Sequence, residues 1–268
     1  MRELAYLGKV AILEGIRPSD KGLTKLRTYN RPLNTKQVKS FHAFLRWMGE
    51  FIFNLEHLFE PLAGMLKKNA KYVWTEECES AYQKIINSIA DDAILYYPDW
   101  TKKFHLFVDA SAYALAGILA QREQDSGRWR VITMNSIRLN SAQRNYGAVD
   151  REWLAIVKFT LRYSYYLVGS EFVIYTDHRP LTYIMYTNNM HSRIMNGMLL
   201  LQPYRFKIVY IKGPENPADY ASRVMIGLHQ LQVVANTTLF SVDPTYDAAM
   251  RYHTEGHMKL PETLNKQH

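Results

Sequence analysis

The chain has 268 residues, 47% hydrophobic and 13% aromatic, which excludes a disordered tail, a collagen-like chain and a low-complexity linker. Its single cysteine, Cys78, excludes a disulfide scaffold and cannot form a zinc site alone, so we expect a buried thiol in a reducing compartment. The 33 basic and 25 acidic side chains leave a net charge of +8, which favours a polyanionic partner. No apolar stretch is long enough to span a bilayer, and the first residues do not resemble a secretory signal. We therefore expect an intracellular protein with no membrane contact.

The N-terminal region, residues 1–103, is predicted to be mostly helical and to serve packing rather than chemistry. Apolar residues 4–16 contain two glycines and predict a short hairpin. Asn34 or Thr35 caps a predicted helix whose apolar residues recur at helical spacing as far as Ile52. Thr75, followed by two glutamates, begins a second predicted helix that reaches about residue 91.

From residue 104 the pattern changes to apolar strands alternating with helices, which predicts a mixed α/β domain. Strands are expected at residues 104–109, 114–121, 130–137, 172–177 and 205–211. A long helix should run from Ser141 to about Leu167 and end at Gly169, and short helices are expected near 180–185 and 191–201. Asn216 and Pro217 have the residue types that begin a last helix.

Four acidic residues occupy unusual positions in this domain. Asp109 and Asp177 each end a hydrophobic strand, Glu152 lies in the apolar stripe of the long helix, and Asp219 falls in the first turn of the last helix. Taken singly, each is also explained as a strand-end cap, a helix-start acid or half of a salt bridge. An unpaired carboxylate in the apolar stripe is costly, so we expect a cation to compensate Glu152. If the strands are neighbours, however, the acids converge at one sheet edge, and such carboxylates suit Mg²⁺ or Mn²⁺ better than Zn²⁺. Two divalent ions would balance the four charges and can catalyse phosphodiester cleavage.

The motifs around these acids resemble the ribonuclease H domain of gypsy-type LTR retrotransposon polyproteins. The matching segments are Phe107–Ser111, Gly117–Gln121, Asn145–Tyr146, Asp150–Val157, Tyr166–Gly169, Thr176–Leu181 and Tyr210–Arg223. The resemblance implies an RNase H-like mixed sheet flanked by helices, with Asp109, Glu152, Asp177 and Asp219 as the ligands of two Mg²⁺ ions, Mn²⁺ being possible. It also implies endonucleolytic cleavage of the RNA strand of RNA–DNA hybrids during reverse transcription.

The resemblance extends to both sides of that domain. Residues 1–103 resemble the end of the reverse transcriptase palm with its thumb and connection, and 104–223 the RNase H domain. Residues 224–268 resemble a linker and an incomplete start of the integrase zinc-binding domain; His253 and His257 match, but the two cysteines are missing, so we expect no zinc. The polymerase's Asp-Asp motif is also missing, so we expect no polymerase activity. The chain would be a piece of a reverse transcriptase polyprotein, with the remainder as its partner, in cytoplasmic virus-like particles or the nucleus.

Substrate contacts are expected from residues beside the catalytic motifs: Ser111, Arg138, Arg144, His178 and Arg193. Surface arginines usually have no such specific role. His178 could instead assist proton transfer or pack at the edge of the site, and packing is the favoured explanation. Two other functions remain open from the sequence. One is a hybrid-binding module without catalysis, and the other is a structural connection module.

Overall fold

The apolar strands and the helices between them assemble into two β-sheets with flanking helices. A computed structural model of the chain describes residues 3–89, 93–124, 126–186 and 191–212, all within the unit Met1–Thr237. The strands are β1 (Leu4–Tyr6), β2 (Lys9–Ala11), β3 (Gly15–Pro18), β4 (Leu95–Tyr96), β5 (Phe104–Ala110), β6 (Ala114–Arg122), β7 (Trp129–Arg138), β8 (Glu171–Thr176) and β9 (Arg205–Tyr210). The helices are α1 (Asp20–Arg27), α2 (Thr35–Met48), α3 (Leu55–Leu58), α4 (Glu60–Ala63), α5 (Glu76–Ile86), α6 (Ser141–Arg144), α7 (Ala148–Arg162), α8 (Ser164–Leu167) and α9 (Ser192–Leu201). Two 3-10 helices, Gly64–Leu66 and Arg179–Tyr186, complete the set.

The N-terminal region has the predicted hairpin and helices, with shorter helix ends than expected. The hairpin β1–β2 continues through β3 to β4 in one antiparallel sheet. Helix α2 begins where the Asn34 side chain accepts the Gln37 N–H, and it ends at Met48 rather than reaching Ile52. Helix α5 begins at the Thr75 cap and ends at Ile86, before residue 91. Helix α1, with its Ser19 cap, was not predicted.

The second sheet is mixed, as the sequence predicts. Its strand order is β7-β6-β5-β8-β9, in which β5 pairs with β8 and β8 with β9 in parallel, while the other pairs are antiparallel. The adjacency of β5 and β8 places the two strands that end in aspartates side by side. This arrangement confirms the expected RNase H-like α/β fold class.

The long helix expected from Ser141 is broken into three. Asn140 and Gln143 form a capping box around α6, but the chain then leaves the helix, and Gly147 has φ −60° and ψ 162° before α7 begins. Glycine is a poor helix former, which favours a break at this position. A second interruption at Tyr163 precedes α8, and Gly169 then adopts a left-handed φ of 80°.

Two close approaches fix α7 between the sheet and α9. Phe159 packs over Gly117 of β6, where an added Cβ would lie 2.4 Å from the phenyl ring. On another side, Gly197 of α9 meets Trp153, and an added Cβ would lie 2.3 Å from the indole nitrogen. No helix among the described residues is long and apolar enough to cross a membrane. The predicted domain boundaries at 103 and 223 stay predictions, and the helix expected from Asn216 lies outside the described residues.

Candidate metal centre

The ends of two parallel strands bring Asp109 and Asp177 together. The register of β5 on β8 pairs Phe107 with Tyr175, and two further residues along each strand place Asp109 level with Asp177. Both carboxylates therefore emerge at the same edge of the sheet, as the sequence predicted.

Helix α7 adds a third acid to this edge. Ligand oxygens of Asp109, Glu152 and Asp177 all lie within 4.8 Å of one another. Glu152 is only 6% exposed, because it projects from the helix face that packs on the sheet. Its carboxylate accepts hydrogen bonds from the Ala110 backbone N–H at 3.1 Å and from the Thr176 hydroxyl at 3.4 Å. Those donors are neutral, so the cation expected to compensate Glu152 is not among them.

The electrostatics of the cluster resist ionisation of Glu152. Burial, followed by the negative charges of Asp109 and Asp177, raises the pKa of Glu152 from 4.5 to about 9. The hydrogen bonds from Ala110 and Thr176 act in the opposite direction but are outweighed. At neutral pH the cluster therefore retains a proton unless positive charge is supplied from elsewhere.

The donor set fits a hard divalent cation. Three carboxylates from three different elements offer oxygen ligands without a cysteine or histidine in the cluster, which is the chemistry that Mg²⁺ and Mn²⁺ prefer. The three acids could therefore hold a metal ion. The fourth predicted ligand, Asp219, lies outside the described residues, as do His253 and His257.

Two of the expected substrate contacts follow the strand-end acids. The Ser111 hydroxyl accepts the N–H groups of Tyr113 and Ala114 and donates to the Ala114 carbonyl, which shapes the turn after β5. The His178 backbone N–H donates to the Thr176 hydroxyl, and its Nε2 is buried without a hydrogen-bond partner among the described residues. In the sequence, Ser111 follows Asp109 by two residues and His178 follows Asp177 directly, so both stand beside the acid cluster.

Arg138 and Arg144 contact the N-terminal region instead of standing free. Arg138 donates to Glu60 at 2.6 Å, and Arg144 lies 3.3 Å from the same carboxylate. Glu56 supports this contact, since its backbone N–H donates to Ser136 of β7 and its side chain lies 3.8 Å from Arg138. Glu60 lies 78 residues before Arg138 and 84 before Arg144, and no motif in the sequence signals the contact.

Arg193 contacts the first turn of α7. Its guanidinium donates to Asp150 at 2.8 Å, and its Cζ lies 4.1 Å from the centre of the Tyr146 ring. Sequence reasoning missed the roles of Asp150 and Thr176 in this region. No signal in the sequence marked Asp150, because the predicted helix began at Ser141 and placed Asp150 in its interior, whereas Thr176 stands directly before Asp177.

The comparisons with known proteins agree with this architecture. Residues 99–204 match the family model described as the RNase H-like domain found in reverse transcriptase. The Pol polyproteins of transposons 412 and 297 from Drosophila melanogaster are 30% and 34% identical to the chain, each over 84% of its length. The Tf2-3 transposon polyprotein of Schizosaccharomyces pombe is 29% identical over 83% of the chain. The alignments cover only 18%, 21% and 17% of those relatives, so the chain spans about a fifth of their length.

Solved structures show the same fold at low sequence identity. A foamy viral protease-reverse transcriptase in complex with dsDNA superposes with a TM-score of 0.63 at 15% identity, over 79% of this chain and 45% of that one. The same enzyme in complex with an RNA/DNA hybrid gives 0.60 at 15% identity, over 78% and 29%. Residues 99–204 thus match the RNase H-like domain found in reverse transcriptases, in a chain that over most of its length is similar to part of the Pol polyproteins of retrotransposons.

Proposed function

We propose that the chain catalyses metal-dependent, endonucleolytic hydrolysis of the RNA strand of RNA–DNA hybrids, as the RNase H part of a reverse transcriptase. The observation that carries this proposal is the convergence of Asp109, Glu152 and Asp177 within 4.8 Å at the edge of the RNase H-like sheet. A cluster of oxygen ligands on an RNase H-like domain is suited to phosphodiester hydrolysis. The proposal concerns hydrolysis of the RNA strand and does not extend to DNA synthesis.

The three clustered acids and Asp219 are the proposed ligands of two Mg²⁺ ions, with Mn²⁺ as a possible substitute. When bound, such ions activate a water molecule and stabilise the leaving oxygen of the cleaved phosphodiester. The chain's part is to hold the carboxylates close together. The Ala110 N–H and the Thr176 hydroxyl orient Glu152, and the parallel strands keep the two aspartates level.

The proposed substrate contacts are Ser111, Arg138, Arg144, His178 and Arg193. The three arginine side chains are 24%, 33% and 55% exposed, so each retains guanidinium surface that could reach a phosphate despite its ion pair. Discrimination of the RNA strand would depend on sensing its 2′-hydroxyl. The remainder of the reverse transcriptase is the proposed protein partner, in virus-like particles of the cytoplasm or in the nucleus.

Cleavage of a hybrid with a labelled RNA strand tests the proposal. The purified chain should cut the RNA in Mg²⁺ or Mn²⁺, stop when a chelator is added, and leave single-stranded RNA intact. Asp109→Asn and Glu152→Gln should each abolish cutting. Glu171→Gln is the matched control, because this exposed acid lies at the opposite end of the strand that leads to Asp177.

Measuring binding of the hybrid alongside its cleavage distinguishes the enzyme from the two other candidate functions. Salt-sensitive binding of the hybrid without cleavage in either metal would refute the enzyme and identify a hybrid-binding module. Absence of both binding and cleavage would leave a structural connection module.

A further inference from the structure

The first turn of α7 is held by contacts from another helix. The Asp150 side chain is 12% exposed and lies between two basic side chains. His191 Nε2 lies 2.8 Å from one carboxylate oxygen, and Arg193 donates to the other at 2.8 Å. Both basic residues come from the start of α9, where His191 is the N-cap.

Helix α7 begins without a side-chain cap of its own. Gly147, the N-cap residue of α7, has no side chain to accept the free N–H groups of the first turn. The cation–π contact of Arg193 with Tyr146 ties the preceding loop to the same guanidinium. The start of α7 therefore depends on α9 for its position, and Gly197 against Trp153 attaches the two helices again one turn later.

Glu152 lies in the sequence between Asp150 and Trp153, the two residues at which α9 holds α7. Its carboxyl group is close to two other acids, and when all three are ionised, as metal binding requires, their like charges push the side chain away from the cluster. Two neutral hydrogen bonds oppose that repulsion, and they form only if the helix holds the residue against Ala110 and Thr176. A small shift of the first turn of α7 would lengthen both.

We propose that Asp150 is a positioning residue for Glu152: by binding His191 and Arg193 it fixes the first turn of α7, and with it the third ligand of the metal centre. This inference rests on the proposed function, because it assumes that the acid cluster binds divalent cations. The ion pair itself adds little to stability, since its two basic partners are 54% and 55% exposed. Its effect should therefore appear in metal affinity rather than in unfolding.

Calorimetric titration of the purified chain with Mn²⁺ alone, at constant pH and without nucleic acid, tests the proposal. Asp150→Asn keeps the size of the side chain but removes its charge, and it should weaken Mn²⁺ binding about tenfold, the lower end of what outer-shell changes cost. Arg193→Gln removes the partner and should weaken binding in the same direction. Because both changes remove one contact, the double variant should lose less than the product of the two single losses.

Asp20→Asn is the matched control, since Asp20 is also a first-turn acid and pairs with Arg17 at 2.9 Å, but in α1. It should leave Mn²⁺ binding unchanged. If Asp150→Asn is folded and binds Mn²⁺ as the unmodified chain does, the positioning role is refuted while the metal centre stands. If Asp150→Asn does not fold, unchanged binding by Arg193→Gln refutes the role equally. If the unmodified chain binds no Mn²⁺, the proposed function fails together with this inference.

Discussion

Raising the pH without divalent ions should destabilise the chain through Glu152. The pKa of this carboxyl is raised to about 9 by burial and by its two acidic neighbours, against an ordinary value of 4.5. Between these values the folded chain holds one proton more than the unfolded chain, so the free energy of unfolding falls as pH rises. The stability contributed by the protonated Glu152 is fully present below about pH 4.5, falls progressively above it, and is lost once the pH has passed through about 9.

The magnitude follows from one proton. A difference of one bound proton changes the free energy of unfolding by about 1.4 kcal/mol per pH unit. Between pH 7.0 and 8.5, where Glu152 remains mostly protonated in the folded state, the loss should be about 2 kcal/mol. His105, whose pKa is lowered to about 4 by burial, is neutral in the folded chain over this range, and unfolded histidine is mostly neutral above pH 7, so His105 adds little to the slope.

Urea denaturation with chelator present, followed by tryptophan fluorescence at the two pH values, measures this loss. Glu152→Gln should remove it, because the amide cannot ionise while its carbonyl can still accept the Ala110 N–H. Glu171→Gln should keep it, since that side chain is exposed. Equal stability of the unmodified chain at both pH values would refute the reasoning, as would an equal slope in the Glu152→Gln variant.

Two further predictions concern the packing around α7. Gly197→Ala should lower the free energy of unfolding by about 1–3 kcal/mol, because the new Cβ would overlap Trp153. Gly64→Ala is the control: an added Cβ there has nothing within 4 Å, so the free energy of unfolding should stay unchanged or rise slightly. Urea denaturation of the two variants measures the difference. Tyr163→Phe should cost about 1–3 kcal/mol in the same assay, since the phenol donates to the Gly117 carbonyl at 3.0 Å inside the core. A loss below about 0.5 kcal/mol would show that this carbonyl finds another partner.

The strands and the strand-end acids were predictable from the sequence because their signal is local. An apolar run that ends in an acid marks both Asp109 and Asp177, and the parallel pairing of β5 with β8 then brings the two together. The break between α6 and α7 was missed because helical spacing of apolar residues continues on both sides of it. The helix ends at Met48 and Ile86 were likewise overestimated from periodicity alone.

Contacts between distant segments were not predictable in this way. Glu60 binds Arg138 and Arg144 across 78 and 84 residues, and nothing in the spacing of charges indicates that pairing. Asp150 is similar: the predicted helix from Ser141 placed it in the helix interior, and only the fold shows that it is a first-turn acid with partners from α9. Local sequence patterns do not predict the packing of α9 on α7, in which Gly197 contacts Trp153.

The position of Glu152 on the apolar face of its helix is unfavourable for stability, and for that reason it was the best guide in the sequence to the candidate metal centre. A carboxylate on the core-facing side of a helix is costly, and the sequence alone predicts that a cation must compensate it. The structure surrounds Glu152 instead with two more acids, which raise the cost, and with two neutral donors, which offset only part of it. Stability alone would favour an apolar residue at this position, because burying an acid beside other acids lowers the free energy of unfolding at neutral pH. A divalent cation bound by all three carboxylates, as we propose, would supply a compensating charge.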